Sequence, residues 1–228
     1  MHRVKDKAEV FTPSWICNRQ NNLIDNAWFE KENVFNIEKE KSWHTVTKKI
    51  TFPNGKTWQD YVKANRMEIS CGEAPYLCSR YDTVSGLWIE LQDRIGVLDR
   101  KIRIINENTA SKEEWLKWVK EAYKATYGFE WQGDSLLIAR ENLLFTFIDY
   151  YEGRFTESPD INTLTEMAKI NSWNIFQMDG LKFVIPNSCK PIPQRQFSIF
   201  DIIDENEEAT NCVKAEEKTI TNCILEYM

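Results

Sequence analysis

Glycine and proline are scarce in this chain of 228 residues, at 8 and 7 copies. Folds made of many short strands use these residues at their turns, so the scarcity argues against a loop-rich β-sandwich. Histidine is scarcer, limited to His2 and His44, and no CxxC pair occurs among the 6 cysteines. A structural zinc site therefore has few possible ligands, and irregularly spaced cysteines without a secretory leader read as reduced thiols. No apolar run approaches the ~20 residues a membrane span requires. The N-terminal MHRVKDKAEVF also lacks the apolar segment of a signal peptide. These absences lead to the expectation of a cytoplasmic, soluble chain with no membrane partner. A basic excess is missing too, since the net charge is -6. Tight autonomous binding to duplex DNA usually needs a basic face, so the sequence does not favour it.

What is present is apolar material. Hydrophobic residues make up 42% and aromatics 13% of the chain. That suffices for a core, and the length suits one domain. The expected division is 1–189 as a cofactor-binding domain and 190–228 as an acidic extension, with Asp201 to Lys218 mobile.

Local signals place the elements. Thr12 and Pro13 suit the N-cap and first position of a helix reaching about Asp25. The PNG at Pro53 to Gly55 marks a turn before a short helix in TWQDYVKANR, and MEIS then reads as a buried strand. RYDTVSGLWIEL reads as a hairpin turning at Ser85 and Gly86. In SKEEWLKWVKEAYKATYG, Ser111 and Glu114 form a capping box, Trp115, Val119 and Ala122 share a face, and Gly128 is placed as the stop. FEW follows as a strand edge. Asp134 is placed to cap the next helix, with Leu137, Leu144 and Ile148 on its face and Gly153 ending it. INTLTEMAKI is a further helix, and SWNIFQMDGLKFVIP reads as strand, turn and strand. Arg94, Arg100, Lys101 and Arg103 could contact phosphate but read better as a solvated helix face. Strands alternating with helices indicate an α/β fold with a mainly parallel sheet, whose ligands sit beyond the strand carboxyl ends.

Three patterns meet that expectation. In EISCGEAPYL, Glu68 closes a strand and Gly72 sits in the turn, where glycine lets backbone approach a ligand. In YGFEWQGDSLLIA, Glu130 ends a strand just before a helix, where α/β nucleotide sites place a ribose-binding carboxylate. In QMDGL, Asp179 ends the next strand and can accept a hydrogen bond from an adenine amino group. Each pattern taken alone also reads as an ordinary turn or a solvated acid.

Together with KAEVFTP, from Lys7 to Pro13, these motifs resemble the adenine-N6 DNA methyltransferases of restriction–modification systems. Members of that family open on segments such as GEVFTP or GQFFTP. EISCGEAPYL resembles their E-P-A-C-G-T-G motif, with Glu73 and Ala74 in place of Thr-Gly. GFEWQGDSLLIARENLL resembles their G-x-E/D-x-x-x-x-A-x-x-A-R-x-N-L segment, and MDGL resembles D-A-L or D-G-L. The resemblance runs from Arg3 to about Pro186. It implies a partial class I, Rossmann-like methyltransferase fold with an incomplete sheet. The implied cofactor is S-adenosylmethionine. Phe11 and Thr12 would touch its methionine end, Glu68 and Gly72 would flank it, Glu130 would hold the ribose and Asp179 the adenine.

The family's catalytic motif, (N/D)PP(Y/F), is absent, since the proline segments after Asp179 are IPNS and CKPIPQRQF. The resemblance therefore implies one part of a truncated or split enzyme, inactive alone and meeting DNA only with a partner chain. A degenerate homologue acting as a binding or regulatory module is the alternative, and a small-molecule methyltransferase ranks third. An incomplete sheet implies a protein partner or a homo-oligomer.

Overall fold

A computed structural model describes residues 11–180, 184–190 and 211–214. The start of the KAEVFTP motif, Lys7 to Val10, lies outside the described residues, as do most of the acidic extension and the TITNCILEYM segment.

The described chain is a mixed α/β structure with six α-helices and a small parallel sheet. Helix α1 (Ser14–Phe29) is followed by a two-stranded antiparallel ladder, β1 (Asn36–Glu38) with β2 (Trp43–Thr45). Next come α2 (Trp58–Lys63), β3 (Arg66–Ile69), a 3₁₀ turn at Leu91–Asp93, α3 (Val97–Asn108) and α4 (Lys112–Lys124). The order then continues β4 (Thr126–Glu130), α5 (Gly133–Phe155), α6 (Ile161–Asn174) and β5 (Ile175–Gln177). Strands β3, β4 and β5 form the parallel sheet in that spatial order, with Glu68 opposite Gly128 and Glu130 opposite Gln177. Strand β6 (Val184–Lys190) pairs antiparallel with β7 (Asn211–Lys214), so the strand expected after the Asp179 turn does not join β5. It also places one paired strand within the expected mobile stretch.

Local chemistry explains several boundaries. Thr57 and Asp60 form a reciprocal capping box at the start of α2. Ser111 caps α4 by accepting from the Glu114 N–H at 3.1 Å, whereas the Glu114 carboxylate reaches Ala110. Asp160 caps α6 through the N–H groups of Asn162 and Thr163. Thr12, in contrast, caps nothing. Pro13 is the N-cap of α1, and the Ser14 N–H donates to Asp82 Oδ2 at 2.7 Å across 68 residues. Burial opposes ionisation of Asp82, yet hydrogen bonds from the Ser14 and Ser85 N–H groups and the Ser85 hydroxyl bring its carboxyl down to about 2.

Other expectations change under tertiary packing. Gly128 does not end α4, which stops at Lys124. Gly128 lies in β4, where its Cα faces Cys71, Ile175 and Leu77 side chains at 3.1–3.4 Å from a would-be Cβ. Strand β4 is central in the sheet rather than an edge. Helix α5 begins at Gly133 with Gln132 as N-cap, so Asp134 lies in its first turn, and it passes Gly153 to end at Phe155. Its buried face comprises Leu136, Ala139, Leu143 and Phe147, while Leu137 is exposed. The expected hairpin after Arg80 is one antiparallel bridge, Tyr81 to Trp88, closed by Asp82.

The basic residues of α3 overturn the expectation of a solvated face. Arg100 is 2% exposed and Lys101 1% exposed. Arg100 pairs with Asp25 at 2.6 Å and donates to Asn18 and Asn22, all on α1. Lys101 Nζ donates to the carbonyls of Ala64 and Ala125 at 2.8 and 2.9 Å, tying together the chain entering β3 and β4. Burial drives the Lys101 amine pKa well down. Arg94 is ion-paired with Asp149 and Arg103 with Glu107, so these guanidiniums serve internal pairing rather than phosphate.

The helices cover one side of the sheet. Thr126, on that side, donates to Ala122 of α4. On the opposite side Met67 and Ile69 are 48% and 47% exposed, and Tyr127 and Phe176 are half-buried. Parallel sheets usually have both faces covered, and among the described residues this face is covered only in part, where Gly180 packs on Ile69 and Phe129. Among the described residues, β3 is an edge strand, and no helix is long and apolar enough to cross a membrane.

Candidate functional site

The turn after β3 determines the site. Ser70, Gly72 and Ala74 all have positive φ, at 56°, 54° and 63°. Left-handed backbone costs a residue with a side chain about 1–2 kcal/mol, so Ser70 and Ala74 store strain that glycine avoids at position 72. The loop keeps a glycine-rich shape with a single glycine in it.

Glu130 anchors this loop. Its Oε2 accepts from the Gly72 N–H at 2.7 Å and its Oε1 from the Gln132 N–H at 2.8 Å. Glu130 is 7% exposed. The carboxylate thus joins the turns that follow two adjacent parallel strands, at the carboxyl ends where α/β sheets place ligands.

Over these turns lies a cavity of about 490 Å³. Phe11, Thr12, Glu68, Gly72 and Glu130, five of the six expected site residues, line it together. The arch from Tyr81 to Trp88 positions the first two: the Thr83 hydroxyl donates to the Thr12 carbonyl at 2.8 Å, beside the Asp82–Ser14 contact. Asp179 is not among the lining residues. Its N–H donates to the Val184 carbonyl at 2.9 Å, and Gly180 beside it sits so close to Ile69 that a Cβ would meet Ile69 Cγ2 at 2.2 Å.

Trp131, Glu73, Tyr76 and Ser135 also line the cavity, and residue-by-residue reading did not single them out. Trp131 follows Glu130 directly, lines the cavity and is 46% exposed. An aromatic residue immediately after the strand-end acid was the available signal.

The electrostatics are one-sided. Among the described residues, Glu68, Glu73 and Glu130 line the cavity and no Lys, Arg or His does. Part of the Glu68 side chain is accessible, but its Oε2 is buried without a hydrogen-bond partner. Burial raises the Glu68 carboxyl well above the usual carboxylate range. The Tyr76 and Leu77 N–H groups oppose that shift, and the Glu130 charge adds to it. Burial, with the charges of Glu68 and Glu130, likewise raises the Cys71 thiol. Burial and Glu68 bring Cys17 up to about 12, so neither thiol is a ready nucleophile. Among the described residues no group of His, Cys, Asp and Glu is arranged to hold a metal ion.

Comparison with models of protein families, with curated proteins and with solved structures finds no match.

Proposed function

We propose that the chain is the S-adenosylmethionine-binding part of a DNA adenine-N6 methyltransferase of a restriction–modification system. The observation that carries this reading is the convergence of Phe11, Thr12, Glu68, Gly72 and Glu130 on one cavity at the carboxyl ends of parallel strands. These residues lie on three separate segments of the sequence, and the motif resemblance nominates each of them.

The donor set fits the group. Glu68 Oε2, buried without a hydrogen-bond partner, is an open acceptor for an ammonium such as the one at the methionine end, whose charge would offset the burial that raises this carboxyl. Glu130 still has lone pairs beyond its two backbone bonds, enough to accept from ribose hydroxyls. Trp131 offers a face for a purine to stack on. Phosphate-bearing cofactors fit poorly, because the lining residues carry three carboxylates and no cation. The bound cofactor would supply an electrophilic methyl group on sulfonium. The residues of this chain bind and orient it.

The sheet order β3–β4–β5, with Glu68, Glu130 and Asp179 near successive strand ends, supports a partial class I methyltransferase architecture. The (N/D)PP(Y/F) motif that would hold the target adenine is absent from these 228 residues, so methyl transfer to DNA needs residues that they do not include. A non-catalytic homologue acting as a binding module would share the same cavity, and the missing motif favours that second reading as well.

Equilibrium dialysis of the purified chain against labelled S-adenosylmethionine tests the proposal. Saturable one-to-one retention is expected. No retention at millimolar ligand would contradict it.

A further inference from the structure

We infer that Glu73 is a specificity residue that makes the cavity favour a cationic sulfonium over the neutral thioether left once the methyl group has gone. This rests on the cofactor reading above and adds a preference between substrate and product. Glu73 stands where the resembling motif carries threonine, so it brings a charge which that motif does not provide.

The charge is held in place from two sides. The Tyr81 hydroxyl donates to Glu73 Oε2 at 2.7 Å. Asn142, on α5, donates to the Glu73 carbonyl at 3.1 Å and to the Tyr81 hydroxyl oxygen at 3.0 Å. Backbone and carboxylate are therefore fixed relative to the cavity wall. Burial, the leading cause, brings Tyr81 up to about 12, so its hydroxyl remains a donor across the physiological range.

Among the described lining residues the Glu73 carboxylate has no cationic neighbour, and Glu130 is a second carboxylate. The described residues form no metal cage. A ligand cation is what would offset the wall. S-adenosylmethionine carries both an ammonium and a sulfonium, whereas S-adenosylhomocysteine keeps only the ammonium. Adenosine and amino-acid contacts are common to both, so their affinity ratio isolates the sulfonium charge. A carboxylate in the cavity wall, were the sulfonium to bind beside it, would change such a ratio by on the order of tenfold.

Calorimetric titration with S-adenosylmethionine, S-adenosylhomocysteine and sinefungin, whose amine-bearing carbon replaces the sulfonium, tests this. The wild-type chain should bind the first and third about tenfold more tightly than the second. Glu73→Gln should bring the three affinities within about twofold to threefold of one another. Tyr81→Phe, which keeps the charge but loosens it, should narrow the ratio less and serves if Glu73→Gln does not fold. Equal wild-type affinities, or a ratio untouched by both substitutions, would overturn the role of Glu73. Absence of binding by all three ligands would instead overturn the cofactor reading itself.

Discussion

The Glu130 carboxylate accepts a hydrogen bond from the Gly72 N–H at 2.7 Å, joining two turns that are 58 residues apart in sequence. That bond brings the end of β3 to the end of β4 and sets the floor of the cavity. Glu130 thus braces the loop, and on the proposed reading it would also hold a ligand, so substitutions there would affect both.

Gly72 and Gly96 separate backbone strain from collision. At Gly72 a Cβ would meet nothing within 4 Å, but φ is +54°. Gly72→Ala should therefore cost about 1–2 kcal/mol through backbone strain alone. At Gly96 a Cβ would lie 2.5 Å from Cys78 Cα and 2.6 Å from the Leu77 carbonyl oxygen. Gly96→Ala should cost about 3 kcal/mol or more, since the colliding atoms are backbone. Urea denaturation of both variants should rank Gly96→Ala as the worse. The opposite order would refute the loop geometry.

Ser70→Gly should stabilise the chain. Ser70 is exposed and sits at φ 56°, so glycine removes strain without removing packing. The gain should be about 0.5–1 kcal/mol after the entropy that glycine adds to the unfolded state. A loss of stability would show that the left-handed turn is not formed in solution.

The Arg100–Asp25 pair predicts a large loss. Its side chains are 1% and 6% exposed, and Arg100→Ala leaves the buried Asp25 carboxylate with only the Tyr61 hydroxyl at 2.8 Å and the longer Arg66 contact at 3.9 Å. A cost of about 3–5 kcal/mol is expected in the same denaturation experiment. A cost below 1 kcal/mol would mean that Arg66 or water takes over the neutralisation of Asp25.

Two carboxyls give opposite pH signs. Asp82 has its folded pKa depressed to about 2, so its contribution is present above about 4 and is lost as pH falls toward 2. Glu68 has a raised folded pKa, so the folded state holds a proton that the unfolded state gives up near 4.3. Stability from Glu68 is thus present at low pH and lost as pH rises from that value. Glu68→Gln should stabilise the ligand-free chain at pH 8 relative to pH 5, and Asp82→Asn should flatten its acid limb. Thermal melts from pH 3 to 8 would show both.

Much of this was legible in the sequence where the signal is local. The strand at MEIS (an exposed edge strand rather than the buried one expected), the helix capped by Ser111 and the strand-end acid Glu130 depend on signals within a few residues. Legibility failed where the deciding partner is far away. Arg100 and Lys101 looked like a solvated face because Asp25 and the Ala64 and Ala125 carbonyls lie 24–75 positions off. Thr12 looked like a cap because Asp82, which takes that role for Ser14, is 68 residues along. Gly128 looked like a helix stop, but its place was decided by the ladders to β3 and β5. In the site, Glu68, Gly72 and Glu130 were visible as motif residues. Trp131 and Glu73 were not, because their place in the wall depends on two turns meeting.

The half-exposed apolar face around Met67 and Ile69, only partly covered among the described residues, predicts association. Light scattering over a concentration series should show self-association, weakened by Met67→Lys with Ile69→Lys. A clean monomer throughout would contradict it, leaving a heterologous partner to be sought.

The isolated chain should transfer no labelled methyl group to adenine-containing DNA, since the motif that would hold the base is missing. Robust incorporation would refute the partial-enzyme reading.

The most direct measurement is calorimetric titration of S-adenosylmethionine into the wild-type chain, Glu130→Gln and Glu130→Ala, with each variant's melt recorded alongside. The account predicts one-to-one binding by the wild type and a loss of roughly 1.5–3 kcal/mol of binding free energy in Glu130→Ala, with Glu130→Gln between them. No heat with the wild type, or equal affinity in all three folded proteins, would contradict it.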